Sequence, residues 1–461
     1  MTRQILSRMR GQSEFFYTFN MQDDRAKGRC MLLVNTLLST ILNVFTTGIF
    51  YTGFLAANGI DIVNVGIISF IPYIAWGFSL FSPMILSRFK KRRALLIFNS
   101  FFYHITITLG VTLIPVFIKD SGSRTIAFAI LVFAGNLCNA LLGSGATAWH
   151  INFLPANIRN SFFSYNNIIS AVSSAVTAIF SCLLADRLAG SPYQGVILST
   201  LRYVAFVIIA VDILLLYLVP KEYPYNQSEK ISLQDVFIVP MRNRKFLLTA
   251  LIGFAWSAFA NMNANTWNYY LLNDLGYSYL MVYSSTFCLA FFSIFAMKFW
   301  KKMISRYGWF NMLMVGFLCV VVIEFAYSFT TASNKVYYVL LGLINGFGYS
   351  GLNLTYASLF YVNLPEKDQD LFTVFWNCFC NIFVLIGSSV GTWFISLTNG
   401  HVWNVLGFPF YGSNFLPWIK GVLVFLIAVY IFFMKGRLDP ESDYYDRLAE
   451  KKALKRAGQK S

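Results

Sequence analysis

Pro220 to Lys245 reads PKEYPYNQSEKISLQDVFIVPMRNRK, the longest polar stretch inside the chain. On each side of it lie six apolar segments, each about 20 residues or longer, the length an α-helix needs to cross the hydrocarbon core of a bilayer. Ahead of it they fall at 31–57, 62–86, 94–118, 125–149, 161–185 and 196–219, spans 1 to 6. Behind it they fall at 245–272, 278–300, 309–330, 335–361, 371–397 and 415–435, spans 7 to 12. The expected fold is an all-α polytopic membrane protein, with twelve transmembrane helices in two pseudo-symmetric six-helix bundles. Its parts are a cytoplasmic segment 1–30, a bundle 31–219, a cytoplasmic central loop 220–244, a second bundle 245–435 and a basic cytoplasmic tail 436–461. Within the central stretch, Ile231 to Phe237 has the pattern of an amphipathic helix lying on the inner leaflet.

Composition agrees. Hydrophobic residues make up 57% of the chain and charged ones 12%, where soluble domains carry about twice that charge. A soluble core cannot hide so much apolar surface, whereas lipid can. The net charge of +16 does not point to nucleic acid, because the basic residues sit in short clusters between apolar runs rather than along one polar face. Thirty of the 36 Lys and Arg fall on one side if the N-terminus stays inside, as the positive-inside rule requires. The six others are assigned to the outer side and its flanks. Residues 1–30 are polar and basic with no cleavable signal pattern, so both termini are expected in the cytoplasm and the chain in the plasma (inner) membrane. The seven Cys lie mostly in apolar runs without zinc-ligand spacing, and no metal or cofactor is expected.

The halves echo one another. Leu86-Ser87-Arg88-Phe89-Lys90 follows span 2, and Ile304-Ser305-Arg306-Tyr307-Gly308 follows span 8. Leu154-Pro155, Phe162 and Asn167 follow span 4; Leu364-Pro365, Phe372 and Asn377 stand 210 residues later. Gly59 with Asp61 and Gly276 with Ser278 mark the turns after spans 1 and 7, the acid and the serine being good helix N-caps. Repeats of this kind are a frequent construction of transporters. Together with the basic loops and the long middle loop, the pattern resembles the major facilitator superfamily. That family's loop motif after span 2, G-x-x-x-D-R-x-G-R-[RK], aligns on Pro83-Met84-Ile85-Leu86-Ser87-Arg88-Phe89-Lys90-Lys91-Arg92. Arg88 and the trailing basic residues match, while both glycines and the aspartate do not. The resemblance implies gating roles for Ser87, Arg88, Arg92, Ser305, Arg306 and Gly308, with a latch weaker or differently built where serine replaces aspartate.

By the same resemblance, spans 1, 4, 7 and 10 line a central cavity and spans 2, 5, 8 and 11 flank it. Polar side chains are costly in lipid and collect where a cavity or partner helix satisfies them. Span 7 carries Trp256, Asn261, Asn263, Asn265, Trp267 and Asn268, with Asn261, Asn265 and Asn268 spaced to share one helical face. Span 1 places Asn35, Ser39, Asn43 and Thr47 at steps of four. Span 4 offers Asn136, Asn139 and Ser144, and span 10 offers Asn345, Tyr349, Asn353 and Tyr356. The flanking spans add Tyr73, Trp76, Asn166, Asn167, Trp376 and Asn377. Such amides also knit helices together, so each residue taken singly has that structural reading beside the functional one. As a set, amides and aromatic faces suit a small, neutral, hydroxyl-rich or ring-bearing substrate such as a sugar or nucleoside.

Only Asp212 in span 6 and Glu324 in span 9 are acidic and clearly interior, which makes them the candidates for a coupling ion, proton or sodium. His104 and His150 are the other titratable groups. The expected activity is secondary active transport by alternating access, carried out by a monomer. The alternative is efflux of amphipathic drug-like compounds. A distant third is an intramembrane enzyme, since Gly348-Tyr349-Ser350-Gly351 matches a rhomboid-type G-x-S-G. Small residues on span 10 explain that string equally well, and no enzyme is expected.

Overall fold

The computed structural model describes residues 24–439 except 87, 90, 144–158, 189–190, 192, 219–232, 366–368 and 406. The expectations for Ser87, Ser144 and His150 therefore lie outside the described residues, as does the side chain of Asn265.

The chain is a polytopic all-α membrane protein of twelve spanning helices in two six-helix bundles. Among the described residues, nine helices are long and apolar enough to cross a membrane. They are spans 1 to 6 at Ala26–Ala57, Ile62–Phe81, Arg93–Phe117, Ser121–Leu142, Tyr165–Arg187 and Gly195–Leu215, and spans 9, 11 and 12 at Trp309–Tyr327, Leu371–Thr398 and Gly412–Leu438. Span 7 is helical over Arg244–Ala260 and Ala264–Tyr269, span 8 over Tyr279–Tyr307 and span 10 over Lys335–Val362. Helix starts are fixed by short polar side chains that take up orphan amides. Asp61 accepts from the Val63 and Asn64 amides at 2.9 and 3.1 Å, Asp120 from Ser123 at 2.7 Å, and Asn243 from Phe246 at 3.1 Å.

Among the described residues, four spans are not the continuous α-helices that the apolar runs imply; span 2 tightens into a 3-10 turn at Phe78–Phe81 between Ile62–Gly77 and Ser82–Leu86. Span 1 breaks at Thr47, where the backbone turns extended and Gly48 takes φ of 57°, a left-handed value that glycine adopts without a Cβ penalty. Span 3 carries a π-helical segment at Ile105–Gly110. Span 7 stops at Ala260 and restarts at Ala264, because Asn261 turns its side chain back to the Ser257 carbonyl at 2.9 Å and caps the first half. The shared face expected of Asn261, Asn265 and Asn268 is thereby interrupted.

Among the described residues, one hairpin of two strands is not helical. Val402–Val405 pairs antiparallel with Phe408–Tyr411, Val402 opposite Tyr411 and Val405 opposite Phe408, before span 12. Ile231 lies outside the described residues, and among them the amphipathic segment runs Leu233–Arg242. It packs against span 11 with Val236 and Pro240 buried and Phe237 edge-on to Phe379 at 6.2 Å.

The chain forms two compact units. Residues up to Ile231 together with Asn268–Tyr283 form one; Ser232–Trp267 and the chain from Ser284 onward form the other. In the first, span 1 packs on spans 5 and 6, and span 4 on spans 2 and 3. Its centre holds Phe50, Phe54, Val65, Ile68 and Phe128, all buried. In the second, span 9 packs on spans 10 and 12, and span 7 on span 11. Ile252, Leu313, Phe317, Val320, Leu352, Val424 and Ile431 fill its core.

Spans 7 and 11 touch backbone to backbone. A Cβ added at Gly387 would overlap the Ala258 carbonyl, and one at Gly391 the Met262 carbonyl. Close approach at small residues is how membrane helices gain packing without a hydrophobic driving force between them. Gly387→Ala is therefore expected to lower stability by about 1–3 kcal/mol, seen as a fall in melting temperature in detergent. Gly77→Ala, whose Cβ meets nothing within 4 Å, should leave it unchanged. Equal behaviour of the two variants would overturn the packing argument.

Candidate functional site

In the first unit the span 1 stripe divides between two partners. Asn35 donates to the Asp212 carboxylate at 2.7 Å, joining one residue expected to bind substrate to one expected to couple an ion. On the adjacent face, Thr36 donates to the Asn166 amide oxygen at 2.5 Å, and Thr40 shares a hydrogen bond with Ser170 at 3.2 Å. These hydroxyls stitch span 1 to span 5 and were not singled out in the sequence, because threonine at a helix seam looks like any other small residue there. Asn43 and Asn167 are exposed, Tyr73 and Trp76 half-buried. Asn139 accepts from Asn99 of span 3 at 3.1 Å and so serves a helix contact.

Arg202, one of the six cations set to the outer side and its flanks, is not a surface group. It is 1% exposed and forms no ion pair among the described residues. Its guanidinium donates to Thr112 Oγ1 at 2.8 Å, the Thr46 carbonyl at 3.4 Å and the Ile107 carbonyl at 2.6 Å, and lies 4.8 Å from the Phe54 ring centroid. The π-helical segment supplies one of these acceptors, since a π-bulge shifts the carbonyl ladder and leaves oxygens free for other donors.

In the second unit Trp256 is buried in the core, with ring centroids 5.4 Å from Phe317, 6.0 Å from Tyr349 and 6.3 Å from Tyr356. Tyr356 donates to the Gly253 carbonyl at 3.3 Å. Trp376 fills the space that a Cβ on Gly253 would need and lies 5.7 Å from Phe254. Together these rings form a continuous aromatic wall from span 7 to spans 10 and 11. Asn345 bonds through its side chain to Tyr327, while its Oδ1 is buried with no hydrogen-bond partner. Asn353 and Asn377 are exposed, and Asn268 is half-buried.

Lys420 was also assigned to an outer flank, and it too lies inside a bundle. Its Nζ stands 2.7 Å from Glu324 Oε1, with both side chains 7% exposed. Glu324, expected as a coupling candidate, therefore has a fixed counter-charge. Of the residues expected to gate, Arg88, Ser305 and Arg306 are exposed and Arg92 is half-buried. Ser305 donates to the Lys302 carbonyl at 2.9 Å, Arg306 lies 5.4 Å from the Tyr307 ring centroid, and Gly308 at φ 85° starts span 9.

Each unit thus carries amides left exposed partway along spanning helices: Asn43 and Asn167 in one, Asn353 and Asn377 in the other. Lipid does not accommodate such groups, so those faces meet water or a polar solute. The helices bearing Asn167 and Asn377, Arg159–Arg187 and Gln369–Thr398, begin 210 residues apart, the same offset that relates the two sequence halves. Two six-helix bundles, each with a polar face inside the membrane, define a transporter that works by alternating access. Residues 31–388 match the Major Facilitator Superfamily model, and the chain belongs to that superfamily.

No curated protein matches the chain in sequence. Several solved structures share its fold. A point mutant of the nucleoside transporter NupG aligns with a TM-score of 0.65 at 12% identity, over 88% of this chain and 99% of that one. A D-xylose-proton symporter aligns at 0.64 and 15%, over 90% and 98%. A point mutant of the E. coli fucose:proton symporter FucP aligns at 0.54 and 14%, over 89% and 99%.

Proposed function

We propose that this transporter takes up a small neutral solute bearing hydroxyls and a ring, of the sugar or nucleoside kind, and draws it inward with a coupled proton. The observation that carries the reading is the unpaired, buried Oδ1 of Asn345, one helical turn before Tyr349 on span 10. A buried acceptor with no partner costs about 1–3 kcal/mol, a cost that a substrate hydroxyl would remove. Two of the buried cations are already engaged, Lys420 by Glu324 and Arg202 by neutral oxygens, which leaves neither for an anionic substrate. The names of the structural neighbours, a nucleoside transporter and two sugar:proton symporters, agree with this choice. Asp212 with Asn35 is the proton site in this reading. The protein is a monomer in the plasma membrane with both termini inside, and its exposed basic loops at Arg88 and Arg306 gate the inner side.

A panel of neutral sugars, nucleosides and amphipathic cations, scored by melting temperature in detergent, tests the substrate class. A ligand present at 100 times its dissociation constant stabilises by about 2.7 kcal/mol. Stabilisation by a sugar or nucleoside supports the reading, and stabilisation by amphipathic cations alone would replace it with efflux. Asn345→Ala should weaken binding about 5- to 10-fold, beside a modest fall in the melting temperature of the free protein from loss of the Tyr327 bond. Arg88→Ala and Arg306→Ala should slow turnover more than they weaken binding. Unchanged rates in both arginine variants would remove the gating role.

A further inference from the structure

The turn joining spans 7 and 8, Asn268–Tyr283, groups with the first unit, while the helices on both sides of it belong to the second. Asp186, in the last turn of span 5, reaches the start of span 8. Its two carboxylate oxygens accept the Tyr279 amide at 2.6 Å and the Leu280 amide at 2.9 Å. Every helix start leaves such amides without an intrahelical partner, and the helix dipole favours a negative charge there. Alongside, the Tyr279 ring stacks on Phe50 of span 1 with centroids 5.6 Å apart and planes 9° from parallel. Tyr283, one turn further on, lies 6.1 Å from the same ring. Gly53 makes the seat, because a Cβ there would overlap the Tyr279 hydroxyl.

We propose that Asp186 is a releasable clamp. Its carboxylate, the Phe50–Tyr279 stack and the Gly53 seat hold the span 7–8 turn against spans 1 and 5, and this contact opens once in each transport cycle. Two features make it releasable rather than a permanent weld. Ser278 already caps span 8 from within, accepting the Met281 amide at 3.1 Å, so the helix start keeps a cap when Asp186 withdraws. A cavity of about 480 Å³, lined by Gly53, Ala56, Asp186, Gly195, Asn273 and Ser278 among others, adjoins the carboxylate. The freed charge would be solvated there rather than buried. The clamp rests on the alternating-access reading and on the outer placement of this turn, but not on the identity of the substrate.

Cys182 is a native reporter, fully buried one turn before Asp186 and close to Tyr283. The full-length protein, with its other cysteines replaced by serine, is reconstituted in oriented vesicles and exposed to a membrane-impermeant maleimide on either side. Asp186→Ala and Gly53→Ala should each raise labelling of Cys182 from outside about tenfold, which corresponds to about 1.4 kcal/mol. Hydrogen exchange at the Tyr279 and Leu280 amides should rise in parallel. Asp186→Asn removes the charge but keeps an oxygen acceptor, so it should rise less, which separates loss of the clamp from a simple charge effect on the thiol. Unchanged labelling from both sides in Asp186→Ala and Gly53→Ala, with melting temperatures intact, overturns the clamp. Faster labelling from the inner side alone supports the clamp and overturns the membrane orientation instead.

Discussion

Lys420→Met is expected to cost about 3–5 kcal/mol of stability, because it leaves the Glu324 carboxylate buried beside no counter-charge. That is a large share of the margin by which most folds persist. The variant should express poorly and melt well below the native protein in detergent. The converse change, Glu324→Leu alone, strands the ammonium and should be similarly harmful. The informative variant is the double one, Lys420→Met with Glu324→Leu. Desolvation of two ions offsets most of their attraction in a low-dielectric interior, so replacing both by apolar groups is often neutral. The double variant should recover most of the lost stability, giving an interaction energy of several kcal/mol in a double-mutant cycle. Additive losses would mean that each ion has another partner and that the pair is incidental. If the double variant also transports, Glu324 is removed as a coupling group, and the pair is a staple between spans 9 and 12.

The sequence made the helices legible and the pairings illegible, for one physical reason. A membrane span announces itself through composition over about 20 residues, so apolar runs such as 371–397 lie within a residue or two of the helix Gln369–Thr398. Breaks inside a span do not change composition. Thr47–Gly48 and the π-helical segment at Ile105–Gly110 lie in apolar runs, and the interruption at 261–263 lies among Asn261, Asn263 and Asn265, which read as a polar helical face rather than as a break. Pairings are long-range: Asn35 and Asp212 stand 177 residues apart, beyond the reach of any periodicity. The same limit misplaced Lys420 and Arg202, since a lone cation near a helix end reads as a flank until its partner is seen. Among the candidate residues, a step-of-four stripe of amides signals a polar face without saying whether water or another helix meets it. Asn43 faces outward and Asn35 meets Asp212, although both occupy the same stripe.

Asp212→Asn should abolish uphill accumulation driven by a pH gradient while leaving solute exchange across vesicles within a few-fold of native. The argument turns on what each acid faces. Glu324 is held 2.7 Å from the Lys420 ammonium inside the bundle, and breaking such a pair carries the penalty already given, which ties that carboxylate to a structural role. Asp212 faces the neutral Asn35 side chain, which donates to it at 2.7 Å. An amide can donate to a carboxylate through nitrogen or, turned over, accept from a carboxylic acid through oxygen, so both protonation states keep a partner. The cations on helices packed against span 6 are Arg25, Lys27 and Arg29 on span 1, Arg93 on span 3, and Arg159 and Arg187 on span 5; of these, Arg93 is directed at the Tyr217 carbonyl at 3.4 Å. Asn35 also lies on the stripe that carries the exposed Asn43, so rotation of its amide would link a proton on Asp212 to that polar stripe of span 1. Asparagine at position 212 preserves the hydrogen bond and removes the titration, so folding and exchange survive and coupling does not. The readout is labelled solute in proteoliposomes with an imposed pH gradient, set beside counterflow with no gradient. Accumulation persisting in Asp212→Asn would move the proton site elsewhere, and accumulation that requires a sodium gradient in the native protein would replace the proton altogether.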